Sequence, residues 1–377
     1  MQIKLTPQQQ EALAGYTAFV DQHVLPHADA WDQAEHTPPE IIAQMARHGY
    51  LGAVVPAERG GTGSDFITLG LLHGAIGRGC SSLRSLLTVH SMVAFTIDKW
   101  GSREHKARWL PALVSGELIG AFGLSEPAAG SDAARIQTTA VASGESYLLN
   151  GHKKWTTYGE IADLFLIFAT SDNKPVAFLV ERDTPGLEIT PIRGMLGTRA
   201  SQLAELKLTN CEVPKSNRIG GLGFGLALVA TSALDIGRYS VAWGSVGILQ
   251  ACLDASLAYT RSREQFGAPL KDHQLIQQMI ANMRVNHEAA RLLCYQAGFL
   301  KDTADPDTVI QTWMAKYFAS THAMQAAIDA VQIHGANGCS PDYPVQRYFR
   351  DAKIMEIIEG SNQIQQITIA NDAQRLV

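Results

Sequence analysis

A glutamate followed by glycine, Glu359-Gly360, lies in an apolar run near the C-terminal end of the sequence. Three isoleucines, Ile354, Ile357 and Ile358, precede it. Burying a carboxylate among such residues is costly, and burial raises its pKa towards the range that a general base needs. The pattern therefore indicates a proton-abstracting base, although it is equally typical of a glutamate beside a glycine that ends a helix.

A second segment that could take part in chemistry is 123–132, which reads Gly-Leu-Ser-Glu-Pro-Ala-Ala-Gly-Ser-Asp. A strand that ends in Ser125 and turns through Gly130 and Ser131 would present hydroxyl groups and free backbone N–H groups. Such a nest binds anionic or carbonyl oxygens, although an ordinary Gly-Ser-Asp turn has the same pattern.

Two further segments carry aromatic, hydroxyl or cationic side chains. Trp155-Thr156-Thr157 lies among strand-like runs, where a tryptophan is more typical of a core. Arg263 and Phe266 belong to an Arg-Glu-Gln-Phe-Gly run that is also typical of a helix end with a surface arginine. A guanidinium is planar and always charged, so this arginine would suit a pyrophosphate.

Helical patterns flank a central region of short strands. The N-terminal region opens with a capping box, Thr6-Pro7-Gln8-Gln9, and apolar residues recur at helical spacing after residue 225. The expected domains are 1–118 (helical), 119–224 (β) and 225–377 (helical). Turn signals between the central runs predict a compact antiparallel unit. The predicted strands are 138–141, 146–149, 163–169, 176–180, 187–192 and 203–208.

The composition excludes several classes of function. The 377 residues carry a formal net charge of -5 without a basic cluster, which argues against a nucleic-acid partner. We expect no membrane span, because no apolar stretch reaches about 18 residues. The five cysteines include no Cys-x-x-Cys pair, so neither a disulfide framework nor a metal site is expected. The start lacks a signal-peptide core, and a cytoplasmic location is the default.

The segments 123–132, 155–157, 263–267, 332–338 and 350–365 together resemble the signatures of the acyl-CoA dehydrogenase family of flavoproteins. The resemblance covers nearly the whole chain. It implies an α+β, mostly α, fold: an N-terminal helical domain, a central antiparallel β-barrel or sandwich, and a C-terminal four-helix bundle. It also implies bound FAD and a homo-oligomer, either a tetramer or a dimer.

The resemblance assigns roles residue by residue. Glu359 is the implied catalytic base, and Ser131, Arg238, Arg84 and Gly360 are the implied substrate-binding residues. The implied FAD-binding residues are Phe122, Leu124, Ser125, Gly130, Ser131, Trp155, Thr157, Arg263, Gln265, Phe266, Gln332, Gly335, Ser361 and Gln363.

Within that set, Trp155 is expected against the flavin ring and Thr157 at flavin N5. The segments that contain Arg263 and Gln332 are expected to reach the FAD of a neighbouring subunit. A minority of the family carries its base on an earlier helix, where this chain has Gly237. Only Glu359 is then available to take the α-proton of an acyl thioester, while the β-hydrogen leaves as hydride to the flavin.

The segment 79–90 occupies the helix that lines the acyl pocket in the family. It carries Arg84, Ser85, Thr88 and His90, where a fatty-acyl pocket would be apolar, although Arg84 could equally point to solvent. Together with segments 240–244 and 355–361, it resembles a subgroup that acts on acyl groups tethered to carrier proteins. Members of that subgroup make hydroxymalonyl- or methoxymalonyl-type extender units for polyketide and hybrid peptide biosynthesis.

Several alternatives stay open at the level of the sequence. The chain could be a short- or branched-chain acyl-CoA dehydrogenase of catabolism, or an aminoacyl-carrier-protein dehydrogenase. A flavin-bearing assembly protein without turnover is an alternative of another class. The thioester could be on coenzyme A or a carrier protein, and the electron acceptor could be an electron-transfer flavoprotein or oxygen.

Overall fold

Helices fill most of residues 7–115 of the structure, a computed structural model that describes residues 4–375. Residues 1–3 and 376–377, which the first and last expected domains include, lie outside the described residues. The capping box is present: the Thr6 side chain accepts from the Gln9 N–H, and the Gln9 side chain accepts from the Thr6 N–H. The helices are α1 (Pro7–His23), α2 (Ala28–Ala34), α3 (Pro39–Arg47), α4 (Phe66–Gly79), α5 (Ser81–Trp100) and α6 (Arg103–Ser115).

An eight-stranded sheet forms the central region. All six predicted strands are present, and β1 and the short β8 are added to them. The strands are β1 (Gly120–Gly123), β2 (Thr139–Ser143), β3 (Ser146–Thr156), β4 (Leu164–Ser171), β5 (Lys174–Glu181), β6 (Leu187–Pro191), β7 (Ala204–Pro214) and β8 (Arg218–Ile219). Strand β3 is longer than predicted, because register shifts against β7 let it continue past Gly151 to Thr156.

The sheet is mixed, and not purely antiparallel as expected. Strand β1 pairs with β4 in parallel over four residues, and β2 meets β4 in parallel at Thr139 and Thr170. The β2–β3 hairpin lies between β1 and β4 in the sequence, so the connection is long enough for a parallel pair. The other pairings within this sheet are antiparallel.

The C-terminal helices pack around one long helix, α7, which follows a π-helical turn at 225–230. A small hairpin, β9 (Glu264–Gln265) and β10 (Ala268–Pro269), follows α7. The stretch 225–262 is long and apolar enough to cross a membrane, but 72% of its apolar window is buried inside the protein, as in a core helix. The helices are α7 (Thr231–Ser262), α8 (Gln274–Asp302), α9 (Thr308–His334), α10 (Val345–Met355) and α11 (Asn362–Ala373).

A buried ion pair fixes the loop after β1. Lys153 on β3 lies 2.6 Å from the Glu126 carboxylate and also donates to the backbone oxygen of Leu124 at 3.2 Å. The same carboxylate accepts from the backbone and hydroxyl groups of Thr138. These bonds compensate the cost of burying both charges, and they hold the 123–132 segment against the sheet.

We therefore expect Lys153→Met to lower the free energy of unfolding by about 3–5 kcal/mol, because it leaves the Glu126 carboxylate buried without its partner. Arg108→Ala is the matched control, since it breaks an exposed pair with Glu181 at 2.6 Å and should cost less than about 1 kcal/mol. Thermal and denaturant unfolding measure the free energy of unfolding of both variants. Equal losses in the two variants would contradict the assignment of a buried structural pair.

Candidate active site

Glu359 lies in a tight turn between α10 and α11. Its φ is 57°, a left-handed conformation that is uncommon for a residue with a side chain, and Gly360 follows at φ 92°. Arg238 Nε donates to the Glu359 backbone oxygen at 3.1 Å. The Gln365 side chain donates to the backbone oxygens of Glu359 (3.3 Å) and Gly360 (3.1 Å). Side chains from α7 and α11 therefore hold the strained turn in place.

The Glu359 carboxyl group points towards α7. A side chain on Gly237 would place its Cβ 2.5 Å from Glu359 Cδ and 3.0 Å from Met92 Sδ. The Oε2 atom of Glu359 is buried and has no hydrogen-bond partner among residues 4–375. Burial raises the pKa of Glu359 to about 7, although the charges of Arg238 and Arg84 oppose the change. The group is therefore a free base above about pH 7 and a neutral acid below it.

One face of α5 runs from this carboxyl group towards a second polar centre. Arg84, Thr88 and Met92 recur at four-residue spacing, so they share a face that extends over roughly 12 Å. Met92 approaches Gly237 at one end, and Arg84 packs against Gly244 at the other. The Glu359 carboxyl group and the Arg84 guanidinium therefore lie at two points along the same packed interface between α5 and α7.

Arg84 is 0% exposed, so it does not point to solvent. Its guanidinium donates to Thr88 Oγ1 at 2.8 Å and to Ser85 Oγ at 3.0 Å, and it lies 3.3 Å from Met355 Sδ. Nε has no partner, and no carboxylate of the described residues forms a salt bridge with this arginine. Burial lowers the pKa of Arg84 to about 10, so it is charged at neutral pH.

A chain of hydroxyl groups extends from Arg84 into the protein. Thr88 Oγ1 lies 2.7 Å from Ser240 Oγ, which lies 2.9 Å from His73 Nδ1. His73 is not among the residues that the sequence predicts for the site. Burial lowers the pKa of this residue to about 3, so the ring is neutral. Its only sequence signal was a histidine among the apolar residues Leu71, Leu72, Ala75 and Ile76 of α4.

The loop after β1 and the end of β3 form one continuous surface. The Lys154 N–H donates to the Ser125 backbone oxygen at 2.9 Å. Trp155 has φ 65° and is 47% exposed, so it is not a core residue. Thr156 Oγ1 is buried without a partner in the described chain, and a Cβ on Gly130 would meet no atom within 4 Å.

This surface fits a flat, oxygen-rich group such as FAD. An exposed indole offers an aromatic face, the open space at Gly130 admits a ligand, and the buried hydroxyl of Thr156 lacks a partner. Thr157 and Ser125 are half-buried on the same surface. Phe122 packs on Phe168 with the ring centroids 5.1 Å apart.

The remaining expected cofactor positions differ in their exposure. Leu124 is buried, whereas Ser131 is exposed on the loop after β1. Ser361 is half-buried at the start of α11, and Gln363 is exposed within that helix. Ser361 and Gln363 lie close to the Glu359 turn because they follow it directly in the chain.

A second group of expected FAD residues lies at the opposite end of α7. The Tyr259 hydroxyl, in the last turn of α7, donates to the His334 backbone oxygen at 3.3 Å. Arg263, Gln265 and Phe266 therefore lie near the segment that contains Gln332 and Gly335. Twenty-one residues of helix separate Arg238 from Tyr259, a distance of roughly 30 Å. One chain does not bring this group to the Glu359 turn.

Three protein-family models match consecutive parts of the chain. They are "Acyl-CoA dehydrogenase, N-terminal domain" at residues 6–117, "middle domain" at 121–211 and "C-terminal domain" at 223–374. The glutaryl-CoA dehydrogenase of Desulfococcus multivorans is 40% identical over 94% of this chain and 93% of its own length. The mitochondrial short-chain specific acyl-CoA dehydrogenase of Rattus norvegicus is 39% identical over 95% of this chain and 88% of its own length.

Solved structures of related enzymes have the same fold. A glutaryl-coenzyme A dehydrogenase in complex with glutaryl-CoA has a TM-score of 0.96 at 38% identity, over 100% of this chain and 98% of that one. A Mycobacterium smegmatis glutaryl-CoA dehydrogenase in complex with FADH2 has a TM-score of 0.93 at 30% identity. The match covers 98% of this chain and 95% of that one. FkbI, which serves the biosynthesis of the methoxymalonyl extender unit of the polyketide Fk520, has a TM-score of 0.89 at 35% identity. The match covers 97% of this chain and 100% of that one.

These matches confirm the expected family, the expected fold and FAD as the cofactor. With three consecutive domain matches that span most of its length, the chain belongs to the acyl-CoA dehydrogenase family of FAD-dependent oxidoreductases.

Proposed function

We propose that this protein removes the α- and β-hydrogens of a short acyl thioester whose far end carries a polar group. The observation that supports this most directly is the placement of two groups along the interface between α5 and α7. The Glu359 carboxyl group lies at Gly237, and the Arg84 guanidinium lies beside Gly244. A base and a fixed cation so arranged suit a short substrate with a reactive α-carbon and a polar tail.

Glu359 is the proposed base. Its pKa of about 7 lets it hold the α-proton that it removes and release it again at neutral pH. Arg238 and Gln365 fix the backbone of the turn, so the carboxyl group stays aimed at the interface between α5 and α7. The Glu359 backbone N–H is a proposed donor to the thioester oxygen, a contact typically worth about 3–4 kcal/mol in the transition state. Bound FAD supplies the acceptor for the β-hydrogen as hydride.

The buried charge of Arg84 argues for a polar acyl group. A buried cation whose partners are all uncharged is unfavourable, and an apolar acyl chain would leave its charge uncompensated. A hydroxyl or carboxylate on the substrate would accept a hydrogen bond from the guanidinium, whose Nε has no partner in the described chain. A protonated aminoacyl group would face a like charge, which disfavours the aminoacyl alternative.

A hydroxyacyl group on an acyl carrier protein is the first candidate substrate. The hydroxyl groups of Ser85, Thr88 and Ser240 around Arg84 support it, as does the structural similarity to FkbI. Removal of two hydrogens would give an enol, which tautomerises to an aldehyde. This would place the protein in the synthesis of hydroxymalonyl-type extender units for polyketides or hybrid peptides.

A dicarboxylic acyl-CoA is the second candidate, and one specific observation favours it. Arg84 has no carboxylate partner in the described chain, and a carboxylate neutralises a buried guanidinium better than a hydroxyl does. The similarity to glutaryl-CoA dehydrogenases agrees with this candidate. Both candidates use the same base and the same arginine, and they differ only in the group that Arg84 binds.

The proposed assembly is a homo-oligomer, a tetramer or else a dimer. Phe266 is 97% exposed although it is aromatic, and Leu275, Val285 and Phe299 on α8 are also exposed. Large exposed apolar side chains on one helix suit a subunit interface. A neighbouring subunit would then bring Arg263 and Phe266 to FAD, and an electron-transfer flavoprotein or oxygen would take up the electrons.

We expect Glu359→Gln to keep bound FAD but to lower the rate of flavin reduction by thioester at least about 100-fold, because an amide cannot take the proton. Anaerobic stopped-flow absorbance measures this rate. Glu356→Gln is the control, since that side chain pairs with the half-exposed Lys353 in the same segment. Wild-type rates in Glu359→Gln would refute the assignment of the base.

Gly237→Ala should also slow flavin reduction, by about 100-fold, because the added Cβ displaces the Glu359 carboxyl group. Gly15→Ala is the matched control, since its Cβ would meet no atom within 4 Å. The same stopped-flow assay applies to both variants. A Gly237→Ala enzyme as fast as wild type would show that the carboxyl group does not act from this position.

Arg84→Met should reverse the preference between acyl groups. We expect kcat/KM for glutaryl-CoA or glyceryl carrier protein to fall at least about 100-fold relative to that for butyryl-CoA. Arg193→Met removes a half-exposed guanidinium paired with Glu160 and should leave the ratio unchanged. If Arg84→Met lowers the values for polar and apolar thioesters equally, Arg84 does not bind the acyl group.

A further inference from the structure

Lys316 on α9 is a fully buried ammonium group beside the turn that carries Glu359. It is 0% exposed. Its Nζ donates to the Gly360 backbone oxygen at 2.8 Å, to Asn362 Oδ1 at 2.9 Å and to the Glu356 backbone oxygen at 3.4 Å. These acceptors lie on both sides of Glu359 in the sequence, so one side chain bridges the end of α10 and the start of α11.

All three acceptors of this lysine are uncharged. Other buried lysines of the protein have a carboxylate partner: Lys153 pairs with Glu126, and Lys301 pairs with Asp235. Lys316 forms no such salt bridge among residues 4–375. A buried ammonium without a paired carboxylate is costly, which indicates that its position serves the turn and not an ion pair.

A network on α9 keeps these bonds in place. Asn362 Oδ1 also accepts from Ser320 Oγ at 2.9 Å, and the Asn362 side-chain amide donates to Thr321 Oγ1 at 3.2 Å. The network orients the Asn362 side chain so that its oxygen faces Lys316. Residues of α9 therefore stabilise the turn through hydrogen bonds, in addition to the bonds from Arg238 and Gln365.

We infer that Lys316 is a positioning residue for the base: it holds Glu359 in its left-handed conformation, and its positive charge favours the ionised form of the carboxyl group. The inference rests on the proposed role of Glu359. Nothing in the sequence pattern marked this lysine, because an isolated lysine in a helix is more typical of a surface position.

The charges around Lys316 determine the direction of the electrostatic effect. The ionisable groups that face it are Glu359, Glu356 and Arg238. Burial lowers the pKa of Lys316 to about 7, so it is charged on the acidic side of neutrality, where Glu359 gains its proton. Removing the positive charge therefore favours the neutral acid, and the pKa of Glu359 rises.

Two substitutions separate the hydrogen bonds from the charge. Lys316→Met removes both, whereas Lys316→Gln removes the charge but keeps an amide donor on a side chain that is one atom shorter. Lys353→Met is the matched control, because this half-exposed lysine on α10 pairs only with the Glu356 side chain and donates to no backbone oxygen of the turn. The FAD-loaded oligomer is used throughout, and thermal unfolding identifies any variant that fails to fold.

Two readouts do not depend on turnover. Amide hydrogen exchange of segment 356–362 reports the opening of the turn. Infrared difference spectroscopy, with Glu359→Gln as the reference, reports the pKa of the Glu359 carboxyl group. We expect Lys316→Met to speed exchange in this segment about tenfold and to raise that pKa by roughly one unit. Lys316→Gln should raise the pKa with less effect on exchange, and Lys353→Met should change neither.

Unchanged exchange and an unchanged Glu359 pKa in both Lys316 variants would overturn the inference. A pKa shift in Lys316→Gln supports it even if Lys316→Met does not fold. The proposed function fails separately: if Glu359→Gln still dehydrogenates thioesters while the Lys316 variants shift the pKa as expected, Lys316 positions a carboxyl group that is not the base.

Discussion

The cost of removing the Glu359 carboxyl group from water determines the arrangement around it. Three cations, Arg238, Arg84 and Lys316, lie near enough to oppose the rise of its pKa, but none forms a salt bridge with its carboxylate in the described chain. A direct ion pair would hold the acid permanently ionised and weaken it as a base. The cations instead bond backbone oxygens or hydroxyl groups, and the pKa remains near 7.

The scaffold follows from this requirement. Glycine at 237 leaves room on α7 for the carboxyl group, and the left-handed turn at 359 aims it there. Phe122 on β1 packs against the cluster of Met92, Ala233 and Ile236, so the proposed flavin surface lies beside the same region. The Lys153–Glu126 pair fixes the loop of that surface. Helices and sheet therefore meet where the proposed base, the acyl group and FAD would meet.

The sequence predicted much of this arrangement and missed particular parts. The apolar run before Glu359 indicated a buried acid, and the alternation and turn signals identified six strands. Helical periodicity could not show where Arg84 points, because α5 is buried on nearly all of its faces. Lys316, His73 and Gln365 were missed because isolated polar residues in helices look like surface positions, and their role depends on contacts across distant segments.

Anaerobic bleaching of the oxidised flavin band is the most direct test of a base facing a polar acyl group. The purified FAD-loaded protein is mixed in parallel with glyceryl carrier protein, glutaryl-CoA and butyryl-CoA. The account predicts fast bleaching by one of the two polar thioesters and slow bleaching by butyryl-CoA. Fast bleaching by butyryl-CoA, with none by the polar thioesters, would contradict it and would indicate ordinary short-chain acyl-CoA catabolism.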